Sequence, residues 1–355
     1  MTALPGWQAG PKTTGQTSQL ANKTPGETWR TLAVTLSIDV VMPVHNRWEL
    51  TESCLAHLHE QTLTHTVIVC DNGSTDGTAE RLRAQFPDAR AVELGANLGY
   101  SAACNRGVEA GSGEVVVLLN NDVDCRPDFL ERLVAPFHDG AGLGSVAPLL
   151  LRPGEEQIDS FGLAVDSTLA GYPRLRGAHA SEAQATHPVL VGPAGAAAAY
   201  RRTAWEKVGG LDGGVFSYGE DVDLALRLRA EGWATAGAVH AVAVHIGSAS
   251  AVARSAWQRY QGGFSRGYFL RRYGVLESRS AARAVTVEAI AVFGDVLVYS
   301  HDLAAVRGRI AGWRAARGLP RLPQPPHDAI ASEITFTESL RLRRRVYADG
   351  ERSCT

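Results

Sequence analysis

The sequence predicts an α/β protein, a doubly wound, mostly parallel sheet followed by a helical C-terminal extension. Three observations lead there. Short β-branched apolar runs alternate with helix-length segments between Ser37 and Leu119, the pattern that successive βαβ units leave in a chain. Clusters rich in Asp and Asn follow those runs, at the carboxyl ends of strands where open sheets bind ligands. The 355 residues, 45% hydrophobic and 20% charged, also suffice for a buried core in about two domains.

Residues 1–35 are rich in Gly, Pro, Thr, Gln and Lys and lack helical or strand periodicity, so a mobile arm is expected. From there, Ser37–Val44, His65–Cys70, Ala89–Leu94 and Val115–Leu119 read as strands, with crossover helices over Arg47–Gln61, Thr75–Phe86 and Tyr100–Ala110. Asn46 with Glu49 three residues on resembles a capping box, and Ser74 or Thr75 can cap the second helix with Asp76 near its positive end. Cys54, Leu55 and Leu58 share an apolar face, which makes Cys54 a core residue. Beyond Pro148 the pattern loosens, then resumes with the small-residue run Gly192–Ala199 and a helix over Arg202–Val208. From about Ser250 helices predominate, with a basic group at Arg341, Arg343, Arg344 and Arg345 that reads as solvated surface or as a contact for anionic lipid. Ala284–Tyr299 is apolar but interrupted by Glu288 and Asp295, an amphipathic helix rather than a membrane span.

Lys+Arg 35 against Asp+Glu 37 gives a net charge of -2, which argues against a nucleic-acid binder and leaves room only for a local anion site. Five cysteines without a C-x-x-C pair suggest neither a disulfide framework nor a zinc knuckle, and no secretory leader pattern opens the chain. A cytoplasmic protein with reduced thiols is expected.

Four clusters stand at strand ends. Pro43–Arg47, with His45 and Asn46, closes the first strand. In Cys70–Thr78, Asp71 is placed to accept hydrogen bonds from a base or ribose, whereas an Asx turn accounts for Asn72 to Asp76. Asn97–Gly107, with Gly99 and Asn105, reads equally as a loop and helix approached closely by a ligand or as tight helix–sheet packing. Leu118–Asp124 sets Asn120, Asn121, Asp122 and Asp124 in a row, oxygen ligands suited to Mg²⁺ or Mn²⁺, with Asp122 as the ligand and Asp124 the weaker candidate. Further on, the Gly- and aromatic-rich lead Gly213–Gly219 presents Glu220 and Asp221 at a helix start, where one carboxylate can act as general base. His245, at the end of an apolar run, reads by itself as a core or turn residue.

In order, these residues resemble the family 2 glycosyltransferases of the GT-A fold, in the branch of rhamnosyl- and galactofuranosyltransferases. The resemblance rests on Pro43-x-x-Asn-Arg47, Asp71-Asn-Gly-Ser-x-Asp-Gly-Thr78, Asn97 to Gly107, Leu119-Asn-Asn-Asp122, Gly195 with Arg201-Arg202, Val208 to Asp212, Glu220-Asp-Val-Asp-Leu224 and His245, and covers about residues 38–250. It implies a nucleotide-sugar half over about 36–125, an acceptor half over about 126–250 and a helical extension over 251–355. It further implies a dTDP- or UDP-sugar donor, a divalent metal, and inverting transfer to a hydroxyl on a small molecule or a lipid-linked glycan. Asp71 would hold the base or ribose, Asn120 and Asp122 would form the D-x-D equivalent, Asp122 and His245 would ligate the metal, and Asp221 would be the base with Glu220 in support. Pro43, His45, Asn46, Arg47, Asn72, Asn97, Gly99, Asn105, Asn121 and Gly195 would complete the donor site. Asn120 stands where the family often has Asp, and Ala196–Ala199 offers no side chain to read a sugar. Peripheral membrane contact and a homodimer through the C-terminal helices are compatible expectations.

Two other classes compete. A sugar nucleotidyltransferase would need a Gly-rich, basic loop where His45-Asn-Arg-Trp48 stands. A non-catalytic nucleotide-sugar or glycan binder would have no need of Asp221.

Overall fold

A computed structural model describes residues 36–247 and 255–348, with side chains up to Arg343. The expected arm over 1–35 and the cysteine at 354 lie outside the described residues. The strands are β1 (Ile38–Val44), β2 (Thr66–Asp71), β3 (Arg90–Glu93), β4 (Val115–Leu119), β5 (Val123–Cys125), β6 (Leu143–Leu151), β7 (Ile158–Ser160), β8 (Leu163–Val165), β9 (Gly171–Pro173), β10 (Ala197–Arg201) and β11 (Ala234–His245). The helices are α1 (Trp48–His59), α2 (Thr78–Gln85), α3 (Tyr100–Ala110), α4 (Phe129–Val134), α5 (Pro136–Asp139), α6 (Arg202–Val208), α7 (Glu220–Ala230), α8 (Ala256–Arg272), α9 (Ala281–Gly294), α10 (Ala304–Ala315) and α11 (Phe336–Ala348).

The main sheet runs β3-β2-β1-β4-β10-β6-β11-β5, with β7 beside β6. β3, β2, β1 and β4 are parallel, as the alternation of strands and helices predicts. β10 then inserts antiparallel between β4 and β6, and β5 closes the far edge antiparallel to β11, so the second half of the sheet is mixed. β1 and β4 are buried on both faces, which is why they read as unbroken Val- and Leu-rich runs. Cys54, Leu55 and Leu58 of α1 pack under this sheet, and Cys54 is a core residue as expected.

Both expected caps are corrected. Asn46 and Arg47 adopt left-handed backbone angles, and Asp76, from the loop after β2, accepts the Trp48 N–H at the start of α1. Asn46 instead bonds across to Ser74 and Thr75, tying the first two strand-end loops together. Gly77, not Ser74 or Thr75, precedes α2, and Asp76 accepts from the Thr78 amide and hydroxyl. A side chain from a neighbouring loop has taken the place of the local cap.

From Leu36 onward the chain forms one compact unit. α8 and α10 cross at backbone contact through two matched Gly-x-x-x-Gly pairs, Gly263/Gly267 and Gly308/Gly312. A Cβ on Gly312 would stand 1.9 Å from the Phe264 carbonyl oxygen, and one on Gly267 2.1 Å from that of Arg309. The helical region is also sutured to the sheet half. Tyr273 and Arg227 hold the buried Asp223 carboxylate, while Tyr268 and Arg272 hold Asp212. No helix among the described residues is long and apolar enough to cross a membrane.

Candidate active site

The carboxyl ends of β4 and β11 meet at Asp122. Antiparallel pairing sets His245 opposite Val123, and the Ile246 amide donates to the Asp122 carbonyl. His245 Nε2 therefore lies 3.5 Å from Asp122 Oδ2, while its Nδ1 lies 2.8 Å from Oδ2 of Asp159, the middle residue of β7. Burial opposes charge on this imidazole, but the bonds to Asp122 and Asp159 outweigh it and push its pKa up to about 10. Burial likewise disfavours the Asp159 charge, yet His245, Arg176 and Arg152 hold its carboxyl below the usual range.

This pair fits a divalent cation. Asp122 Oδ1 is buried without a hydrogen-bond partner, as is Asn120 Oδ1 two residues along the chain, so both oxygens have acceptor capacity that the protein itself does not use. Among the described residues no three His, Cys, Asp or Glu side chains form a closed cage. An open site with few protein ligands suits Mg²⁺ or Mn²⁺, which complete their shell with water and substrate phosphate. A carboxylate behind a histidine orients it and fixes which nitrogen faces the metal. Asp159 is the residue that sequence reasoning missed, because nothing in its short strand signals a role.

Asp124 is corrected as a metal candidate. It stands on β5 and turns to α1, 3.3 Å from His57 Nδ1 and 3.5 Å from Ser53 Oγ. Asn121 also turns to α1 and donates to Thr51.

The second group lies across two residues of backbone. The Asn120 amide donates to the Ala196 carbonyl at 2.8 Å, and the adjacent Gly195 amide donates to Asp221 Oδ2 at 3.1 Å. Asp221 Oδ1 accepts the Val222 amide at 2.8 Å. Asp221 thus faces exposed Gly195, whereas Glu220 Oε2 is closed off from water without a partner, beside Tyr100, Tyr200 and Leu118. Burial raises both carboxyls above their ordinary values, Glu220 further because Asp221 stands next to it. The third acid, Asp223, is fully buried against Arg227 and Tyr273 and holds the helix in place. Tyr218, at φ 70°, turns the lead-in so that its ring and that of Phe216 meet Trp257 at the start of α8.

The expected donor contacts divide. Asp71 itself forms the Asx turn, its Oδ1 accepting the Ser74 amide, so the turn explanation extends to Asp71 as well. Asn72 is corrected as a donor ligand: its amide bonds Asn97, the Gly99 carbonyl and the Leu98 N–H, using both ends. Asn105 is corrected likewise, clamping both backbone groups of Leu211. Asn97 uses its carbonyl inside the same loop. For the glycines, packing decides: a Cβ on Gly99 would meet the Phe216 carbonyl at 2.7 Å and one on Gly107 the Val41 side chain at 2.3 Å. Arg201 and Arg202 bind carbonyls and Asp39 at the opposite strand ends. Pro43 and His45 line the half-buried rim, and the exposed Arg47 guanidinium has no partner among the described residues.

A parallel β3-β2-β1-β4 half, an antiparallel insert, a metal-fitted Asp at the β4 lip and a paired carboxylate opposite define the GT-A architecture of glycosyltransferases. Residues 39–209 match the family described as Glycosyl transferase family 2. The match ends before α7 and β11.

The N-acetylglucosaminyl-diphospho-decaprenol L-rhamnosyltransferase of Mycobacterium tuberculosis is 32% identical over 190 residues, which cover 47% of this chain and 62% of that relative. Among solved structures, the chain is similar to a mannosyltransferase from Pyrobaculum calidifontis in complex with GDP-Man and Mn²⁺, with TM-score 0.51 and 18% identity over 91% of this chain and 88% of that one. It is also similar to GalNAc-T7 with UDP, GalNAc and Mn²⁺, with TM-score 0.56 and 14% identity over 79% of this chain and 55% of that one. These two likenesses concern the fold.

Proposed function

We propose that this protein is an inverting, metal-dependent glycosyltransferase that moves a sugar from a nucleoside-diphosphate donor, a dTDP- or UDP-sugar, to a hydroxyl of a lipid-linked glycan acceptor. The observation that carries the reading is the backbone bridge that joins Asn120, two residues before Asp122, through Ala196 and Gly195 to the Asp221 carboxylate. Asp122, oriented by strand β4, and His245, oriented by Asp159, would hold Mg²⁺ or Mn²⁺. When bound, the cation neutralises charge on the leaving diphosphate. His45, Arg47 and the free Asp71 oxygen line the donor side. Asp221 takes the proton from the acceptor hydroxyl as that oxygen attacks the anomeric carbon from the face opposite the diphosphate, and the configuration inverts. Glu220, closed from water and with its pKa raised by burial so that it keeps its proton, supports Asp221 from the buried side. The rings of Phe216, Tyr218 and Trp257 flank the acceptor side, where aromatic faces can pack against a sugar.

The lipid-linked acceptor follows the mycobacterial relative, an N-acetylglucosaminyl-diphospho-decaprenol L-rhamnosyltransferase, and fits the apolar helical surface described below. The test is a thermal-shift panel of dTDP-, UDP- and GDP-sugars with Mn²⁺, followed by nucleoside diphosphate release on adding acceptor. One donor class should raise the melting temperature in a metal-dependent way. If none does, the transferase reading fails. A donor that binds without turnover on any acceptor favours a binding protein.

A further inference from the structure

The helix formed by α9 and its π-helical continuation over Asp295–Ser300 is turned inside out for a water-facing element. Its outward side carries Val285, Ile290, Phe293, Leu297 and Val298, between 44% and 65% exposed, and the other exposed positions are Ala282, Thr286 and Ala289. Not one exposed position from Ala282 to Val298 is charged. The charges of this helix point inward: Glu288 binds Arg266, Arg309 and Arg343, Arg283 binds Ser339 and the Ile334 carbonyl, and Asp295 is 1% exposed beside Arg259. A helix in water shows the reverse arrangement, so this face is built to leave water.

The next helix says what it meets. Leu303, just before α10, and Ile310 on it continue the exposed apolar positions, interleaved with Arg307, Arg314 and, just past the helix, Arg317. These three arginines are exposed and have no acidic partner among the described residues, whereas the nearby acid Asp302 is taken by Arg259. Apolar side chains beside unpaired guanidinium groups match an anionic lipid interface, and they oppose a second copy, which would bring its own arginines against them.

We propose that the outward face of the helix over Ala281–Ser300, with the arginines of α10, rests in the surface of a bilayer containing anionic phospholipid. The face lies in the headgroup region and does not span the bilayer. It deepens the proposed function and rests on it in one respect, that an acceptor carried on a lipid must be met at the membrane surface. The helix is fixed to the site half of the chain through α8, whose Gly-x-x-x-Gly contact with α10 and bonds to Asp212 and Asp223 admit little play.

The test is co-sedimentation of the full-length protein with phosphatidylcholine vesicles, with and without phosphatidylglycerol. The wild type should bind the anionic vesicles. The double variant Phe293→Ser, Leu297→Ser removes two exposed apolar side chains, leaves the core untouched, and should weaken partitioning by about tenfold or more. Arg307→Glu with Arg314→Glu should weaken it by about tenfold or more, and only for phosphatidylglycerol vesicles. Vesicle binding that is absent in the wild type, or unchanged in both variants, overturns the proposal. So does a dimer that the serine variant dissociates while leaving vesicle binding intact, which would make this face an interface between copies. Nucleoside diphosphate release with a water-soluble acceptor, measured on the same variants, separates the two readings. Vesicle binding without transfer sinks the enzyme reading alone, and transfer without vesicle binding sinks this one alone.

Discussion

Replacing Asp221 by Asn tests the chemistry most directly. The carboxylate accepts two backbone amides, Gly195 N at 3.1 Å on one oxygen and Val222 N at 2.8 Å on the other. An asparagine can satisfy only one of them, and its NH₂ would then face the other N–H. Leaving that donor unpaired costs about 1–3 kcal/mol of stability, a drop in melting temperature of a few degrees but not loss of the fold. The catalytic loss should be larger. Removal of a general base costs about 10²–10⁴ in rate, which at about 1.4 kcal/mol per tenfold is about 3–5 kcal/mol. Turnover is followed by nucleoside diphosphate release at saturating donor and acceptor, and donor affinity by calorimetry. We expect kcat to fall by about 10²–10⁴ with donor affinity within about twofold. Because burial raises the Asp221 pKa and the base works without its proton, wild-type activity should rise with pH through that raised value, and the rise should vanish in the variant. Retention of more than a tenth of the activity in Asp221→Asn, with full loss in Glu220→Gln, would refute the assignment and make Glu220 the base.

Asp159→Asn keeps the size of the side chain behind His245 but removes its charge, so Mn²⁺ affinity measured by calorimetry in the absence of acceptor should fall by about 10–100-fold; an unchanged affinity would mean that His245 does not bind the cation. Glu220→Gln has a pH signature in stability. Burial first, and Asp221 second, raise the folded-state pKa of Glu220 above its ordinary 4.5, so the folded protein keeps a proton that the unfolded chain has released. That contribution is full below about pH 4.5 and is lost as pH rises through the raised value. The variant should therefore melt above the wild type in mildly alkaline buffer, with the gap closing in acid. A gap independent of pH would show that Glu220 is not strained by its charge.

The parallel half of the sheet was legible because its strands are buried on both faces. Val115–Leu119 and Tyr100–Ala110 could be delimited to the residue, since a purely apolar run and a Gly-bounded helix have sharp compositional edges. The antiparallel β10 was not readable as such: Ala197, Ala198 and Ala199 carry no alternation, and its place between β4 and β6 is decided by their close packing. The caps failed for a related reason. Asp76 serves α1 from a loop 28 residues away, and composition shows only that a side chain can cap, not which helix it reaches. Among the candidate ligands, residue type did not separate Asn72 and Asn105, which bind the backbone of Leu98–Gly99 and of Leu211, from Asn120, whose oxygen has no partner. His245 read alone is a core or turn residue, and it is half-buried; what distinguishes it is the company of Asp122 and Asp159.

The seam at Asp212 and Asp223 bears on how such a transferase can diversify. Both acids stand within the residues, about 38–250, that carry the sequence resemblance, yet their counter-groups Tyr268, Arg272 and Tyr273 come from α8 and its C-terminal end, beyond them. Replacing the C-terminal helices would strip Asp212 of Tyr268 and Arg272 and leave Asp223 with Arg227 alone. In the proposed transferase, substitutions that tune the acceptor are therefore tolerated best on the outer faces of those helices, because the inner faces are tied to the helix that carries the proposed base.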